Sequence, residues 1–544
     1  MDRGLEQRLT DRVPAATVAV VGVVALCLVA YFDLATNLAF GDEWMFRWSA
    51  QRMAAGHGLQ LWPQVVPVSL VQTLASMPIA ILRAEPRFLR LAVLPFMVLW
   101  SVMSGLIAKR LGAGRFWSMV AAVVVPAAPL TLGVSASFMS DIAYVALLMT
   151  AAWIALRWIE SGESGWWLVP LATLATLQRQ QGLALAVAVT AVVLFRRRPV
   201  NRGDRLMLLA TWLGTAAALV FPFVSAISSD QMTTILHNQG KQHLTLGAAV
   251  GSVVELGPML GLLLLPLVLG LRRRTEAERR AAGRWELIPL ALAMAGLAAA
   301  VMFAAYFGNS IWPGNVWGFS GLGMLTIGGD KPAIFTLWAF VLLEVFCVIV
   351  FVVLLGWRSR LWTPRLLGWS GTFLVLLALA HLPPMALASP LDRYYIPVAA
   401  ALAPFVAAQV SRAEAPGHGA TAARVWAIAT LAAGLGFFVV GQQDYLAWQG
   451  ARAQAQARAY AIAGAAGVDA GYEANGSDVA IPRYEQTGEL VDPVHLAGLH
   501  PPLGLRFAPP GDPRPGAGYS SLAPGKIVIV CLGAQDSCPL TARR

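Results

Sequence analysis

Apolar runs of about 20 residues, the length that crosses a roughly 30 Å hydrocarbon core as a helix, recur along the first four-fifths of the chain. The pattern predicts an all-α polytopic membrane protein with about thirteen spans, at 13–32, 91–108, 116–134, 142–158, 166–178, 182–195, 206–224, 250–271, 286–307, 334–356, 366–383, 394–411 and 424–441. The polar positions between the runs carry basic clusters: Arg196, Arg197 and Arg198; Arg272, Arg273 and Arg274 with Arg279 and Arg280; Arg358 with Arg360. With thirteen spans, the basic loops 109–115, 196–205, 271–285, 357–365 and 411–424 all share the side of the N-terminus. The positive-inside rule makes that side cytoplasmic and puts the other loops and the tail outside.

The apolar segment 65–82 is the exception, because making it a span would invert every later basic loop. It is therefore read as flat or re-entrant on the outer face, with Pro63, Pro67 and Pro78 breaking regular helix. The first outer loop then runs from about 33 to 90, long enough to suggest function. The transmembrane domain so defined is 1–441. Residues 442–544 are polar and rich in Pro and Gly. They carry a helical stretch (Ala451 to Gly464), a Pro-rich connection and a strand from Lys526 to Cys531, which together predict a small outward-facing α/β domain.

Composition agrees: the chain is 57% hydrophobic and 13% charged, with mean hydropathy +0.63, whereas soluble domains carry roughly 25% charged residues. So little charge cannot cover a water-exposed surface, and membrane lipid is the expected solvent. A net charge of +11 concentrated in loops between spans argues against nucleic acid as a partner. The run after the polar N-terminus lacks a clear cleavage site and reads as a retained first helix. Cys27 and Cys347 lie in apolar runs. Cys531 and Cys538 share the tail, where a disulfide would fit an oxidising compartment.

Candidate chemistry gathers on the predicted outer side. Asp42 and Glu43 open the first outer loop, followed by a helical stretch ending at Gly56-His57-Gly58; they could hold a metal, bind a cation, act as a general base or simply be solvated. Asp141, in Ser137-Phe138-Met139-Ser140-Asp141, stands where the fourth span begins and could equally be a helix cap. Arg179 interrupts the hairpin between the fifth and sixth spans, a costly place for an unpaired charge. Lys241, between His237 and His243, follows the seventh span, and Asp392-Arg393-Tyr394-Tyr395 begins the twelfth. Arg and Lys there could hold a phosphate, although Arg393 and Tyr394 could instead be interfacial anchors. No nucleotide-binding signature appears. Glu344, inside a span, is the kind of residue a transporter or lipid flippase would need.

Asp42-Glu43 opening a long outer loop, the helix ending Gly56-His57-Gly58, Phe138-Met139-Ser140-Asp141 and Arg393-Tyr394-Tyr395-Ile396-Pro397 resemble the GT-C superfamily. Within it they look closest to the protein O-mannosyltransferase and aminoarabinose transferase group. The resemblance covers roughly 13–410 and implies a multi-pass inner-membrane enzyme. Such an enzyme moves a sugar from a polyprenyl-phosphate donor to a lipid, glycan or protein acceptor on the outer face, with inversion. It implies Asp42 as base, Glu43 and Asp141 orienting acceptor and donor, and Arg179, Lys241 and Arg393 stabilising the leaving phosphate, with Tyr394 beside them. Metal dependence differs across the superfamily, so a divalent metal is left open and no cofactor or metal ligand is assigned. The tail run Asp469-Ala470-Gly471-Tyr472-Glu473-Ala474-Asn475-Gly476 has the look of a motif without an evident role.

Overall fold

The structure is a computed structural model. It describes residues 27, 31–32, 40–63, 67–83, 85–195, 201–225, 246–268, 316–318, 321–322, 327, 331, 337–356, 364–387, 391–413, 418–494, 496, 499–520 and 524–532. The expected spans 13–32 and 286–307 lie almost wholly outside these residues, as do Lys241, His237, His243 and Cys538.

Helices dominate. Among the described residues, six are long and apolar enough to cross a membrane: Arg87–Arg110, Asp141–Ser161, Arg202–Phe221, Gly368–Met385, Asp392–Ala413 and Thr421–Ala463. Leu70–Leu82, Gln180–Phe195 and Ala339–Phe351 are shorter apolar helices. The chain is thus a helical integral membrane protein by length and composition. Leu194, Phe195, Leu213 and Leu342 are largely exposed on the apolar helices, whereas the helix Asp141–Ser161 is buried along most of its length.

Three expectations are corrected. The span at 116–134 is two helices, Arg115–Val123 and Pro129–Ser135. Pro126 lies in the turn between them, and proline can neither donate its missing N–H nor clear the preceding carbonyl in a helix interior. The helix Leu70–Leu82 runs through Pro78, while Pro63 and Pro67 precede it. The helical stretch at 451–464 is no separate element, because one 46-residue helix, His418–Ala463, passes through 441/442 without interruption.

The helix Leu70–Leu82 turns its polar side inward. Gln72, Thr73, Ser76 and Ala80 are buried, and Leu74, Ile81 and Leu82 are exposed. That distribution reverses the pattern of a helix bathed in water and suits one solvated by lipid.

Beyond the long helix the tail folds on a four-stranded sheet. Val468–Asp469 pairs in parallel with Leu503–Ala508, which is antiparallel to Gly525–Cys531, which in turn is antiparallel to Gly516–Tyr519. The expected strand is there. The sheet packs on the long helix, with Phe507 against Trp448. Cys531 is disulfide-bonded, its partner lying outside the described residues. Cys27 and Cys347 are free.

Candidate active site

Two adjacent acids stand at the start of the helix Glu43–Ala54, and the backbone sends them different ways. Gly41, with φ +54, turns the chain into the helix Glu43–Ala54, and Asp42 stands at its N-cap position. Glu43 points into the fold and is fully buried. Arg90 grips it with two hydrogen bonds, Nε to Oε1 at 2.9 Å and Nη2 to Oε2 at 3.0 Å, and the Phe40 amide donates to Oε2 at 3.0 Å. Asp42 stays one-third exposed. Its Oδ2 accepts from Arg393 Nη2 at 2.9 Å, and its Oδ1 accepts from the Tyr472 hydroxyl at 3.1 Å.

Arg393 sits in the 3-10 turn Asp392–Tyr395. That turn is fixed by Asp392, whose Oδ2 accepts from the amides of Val316 and Trp317, both at 2.8 Å, and whose Oδ1 accepts from the Arg393 amide at 2.7 Å. Arg393 Nη1 also lies 3.8 Å from the sulfur of Met139, two residues before Asp141. The Tyr394 ring is shared by two guanidinium groups, Arg393 at 5.7 Å and Arg179 at 5.3 Å from its centroid, distances typical of cation–π contact.

Arg179 occupies the break between the helices Leu168–Gln178 and Leu183–Phe195, in extended conformation. Gly182 makes this corner possible, because a Cβ there would sit 2.4 Å from the Thr176 amide nitrogen. The neighbouring Gln178 ties the corner down: its side-chain nitrogen donates to the Ser140 carbonyl at 3.1 Å, and its oxygen accepts from the Gln72 amide at 3.2 Å. Arg179 Nη1 then reaches Asp141 Oδ1 at 2.6 Å and Ser140 Oγ at 3.1 Å. Asp141 is the first residue of its helix, and the N-cap residue Ser140 makes no side-chain cap hydrogen bond. Asp141 Oδ2, like Arg393 Nε, has no hydrogen-bond partner among the described residues although both are buried.

Asp42, Arg393, Tyr394, Arg179 and Asp141 therefore form one connected chain of contacts, drawn from four distant parts of the sequence and ending on helix termini or breaks. Glu43 adjoins it but is wholly engaged with Arg90. Among the described residues no group of three or more His, Cys, Asp or Glu side chains is placed to hold a metal ion.

Sequence reasoning missed Arg90 and the role of the tail run. An Arg abutting the apolar run at 91 was the available signal for the first. Tyr472 lies on Asp42, and Glu473 accepts from the Gly41 amide at 3.3 Å and from Arg452 at 3.0 Å. Burial and the charge of Asp42 push the Tyr472 hydroxyl well above the usual phenol pKa of 10, so it stays a proton donor. Also missed was a buried pair beneath the site: Tyr144, one turn after Asp141, contacts His381 Nε2 at 2.7 Å.

No family model and no curated protein matches the chain. Among solved structures it is similar to the crystal structure of ArnT from Cupriavidus metallidurans bound to undecaprenyl phosphate, at 13% identity and a TM-score of 0.42. The similarity covers 83% of this chain and 66% of that one, so the chain spans less than two thirds of that structure's length.

Proposed function

We propose that the protein is a membrane glycosyltransferase that moves a sugar from a polyprenyl-phosphate donor to an acceptor on the outer face of the membrane, inverting the anomeric centre. The observation that carries this reading is the linked chain Asp42–Arg393–Tyr394–Arg179–Asp141. An accessible carboxylate, two guanidinium groups and a second carboxylate with an unused oxygen are what such a reaction requires within one site. Five of the residues that the GT-C resemblance singles out, Asp42, Asp141, Arg179, Arg393 and Tyr394, are in this chain.

In this mechanism Asp42, the exposed member, takes the proton of the acceptor hydroxyl as its oxygen attacks the anomeric carbon. The bond from that carbon to the phosphate oxygen breaks on the opposite face, and its electron pair leaves with the lipid phosphate. Arg393 and Arg179 face the growing negative charge, a form of stabilisation often worth a few kcal/mol; Lys241 is assigned the same role by the resemblance. Asp141 Oδ2 is available to accept from a sugar hydroxyl. Glu43, locked to Arg90, holds the start of the helix that aims Asp42.

The test is transfer of radiolabelled sugar from a polyprenyl-phosphate donor, with donor binding measured separately. Asp42→Asn is expected to slow transfer by a factor of about 10²–10⁴ with donor binding retained. Arg179→Ala should weaken donor binding roughly tenfold to a hundredfold, the worth of a charge-assisted hydrogen bond. Transfer by Asp42→Asn at the wild-type rate would remove Asp42 as base.

A flippase is the second reading, favoured by carboxylates within apolar helices. Glu344 is buried in Leu337–Gly356, and Glu255, in the neighbouring helix Leu246–Leu263, accepts from the Tyr395 hydroxyl at 2.9 Å. Movement of the lipid across vesicles with its glycosidic bond intact would decide for it.

A further inference from the structure

The tail segment meets the acid helix residue by residue. Gly41 donates to Glu473 and Asp42 accepts from Tyr472. Further along, Trp44 lies against Gly476, where a Cβ would come within 2.3 Å of the indole. Arg47 reaches Ser477 at 3.4 Å, and Trp48 donates to Glu485 at 3.0 Å. An edge-to-face cluster joins Trp44, Trp48 and Trp62 of the outer loop to Tyr472 and Tyr484 of the tail. Behind the contact the tail run is braced by its own polar groups. Asn475 accepts from the Ala470 amide at 2.9 Å and donates to Asp469 and to the Pro493 carbonyl, both at 2.9 Å. Arg452, on the long helix, pairs with Glu473 in full burial.

We propose that Tyr472 is a positioning residue for Asp42: its hydroxyl donates to Oδ1 and fixes the carboxylate so that the remaining lone pair of that oxygen faces the acceptor. The proposal rests on Asp42 being the base. Arg393 holds the other oxygen, so the two donors together leave the carboxylate no free rotation. A carboxylate oxygen carries two acceptor sites, and one hydrogen bond to Oδ1 therefore leaves a site for the incoming proton. The charged and titratable groups facing Tyr472 are Asp42, Glu473 and Arg393. The tail is then part of the active site, and the run from Asp469 to Gly476 delivers the Tyr472 phenol to it.

The experiment compares wild type, Tyr472→Phe, Asp42→Asn and the double variant in full-length protein, reading kcat, donor KM, the pH profile of kcat and the melting temperature. Tyr472→Phe keeps the ring against Trp44 and removes only the donor. The expected result is a kcat loss of roughly tenfold to a hundredfold, the worth of a hydrogen bond to a charged group, with donor KM and melting temperature unchanged. The acidic limb of the profile should move to higher pH, because a hydrogen bond to the ionised form is gone. In the Asp42→Asn background the same substitution should cost little, since coupled residues are not additive. A Tyr472→Phe enzyme with wild-type kcat and pH profile, or losses that simply multiply in the double variant, would overturn the proposal while leaving glycosyl transfer intact. A wild-type protein that transfers no sugar would overturn the functional reading itself, and this inference with it.

Discussion

Glu43 and Arg90 form a two-bond ion pair with side chains 0% and 3% exposed, and a buried pair of this kind is costly to break from one side. Removing a single partner of such a pair typically costs about 3–5 kcal/mol, because the other charge is left uncompensated. Arg90→Leu is therefore expected to lower the melting temperature sharply, and Glu43→Leu with Arg90→Leu to recover much of the loss. Equal destabilisation by the single and double variants would show that packing, not charge, is at stake. At this scale the sequence was half legible. Asp42 and Glu43 read as a pair because they are neighbours, yet Asp42 is the N-cap and Glu43 the first helical residue, and their side chains leave in different directions. One turns to Arg393 and Tyr472, the other to Arg90. Asp141 and Arg179, by contrast, could be named as candidates because charge is rare near apolar runs, and the ion pair between them explains how each is tolerated.

At the scale of elements, hydrophobic runs place most described helices within a few residues, since lipid demands long uninterrupted apolar stretches. What the runs hide is where a helix stops short. Pro126 splits one expected span, and Gly182 lets the chain double back within three residues of Arg179. The second case is testable. Gly182→Ala forces a methyl into the Thr176 backbone, so the corner must open and carry Arg179 away from Asp141. Overpacking of this kind costs about 1–3 kcal/mol. Weaker binding of a polyprenyl phosphate should accompany the stability loss, whereas a variant that melts and binds like wild type would show that the corner yields locally. The continuity of His418–Ala463 was invisible for a different reason: its second half is polar, and a change in composition looks like a boundary even where the backbone hydrogen bonds run on.

At the scale of the whole molecule, contacts between distant segments constrain the topology that hydropathy leaves ambiguous. Trp62, before the helix Leu70–Leu82, packs on Trp44 at 5.1 Å, and Arg90, after it, binds Glu43 at 2.9 Å. Both ends of the segment thus return to the same short helix. A 13-residue helix is about 20 Å long, short of the roughly 30 Å hydrocarbon core. Parity argues the same way. Asp42 touches Arg393 and Tyr472, so an even number of crossings must separate residue 42 from each. With 116–134 counted as a single crossing, the thirteen-span reading meets this condition, having ten spans between residue 42 and Arg393 and twelve between it and Tyr472, whereas one added crossing at 65–82 would break it. We therefore expect a reporter fused after Arg90 to report the outer side. An impermeant thiol reagent on intact cells should label a cysteine placed at Lys241 or in the tail, but not one at Arg197 or Arg273. Labelling at 273 without labelling at 241 would invert the molecule. An inside signal after Arg90 would require another crossing elsewhere to restore the contacts between the acid helix and the tail.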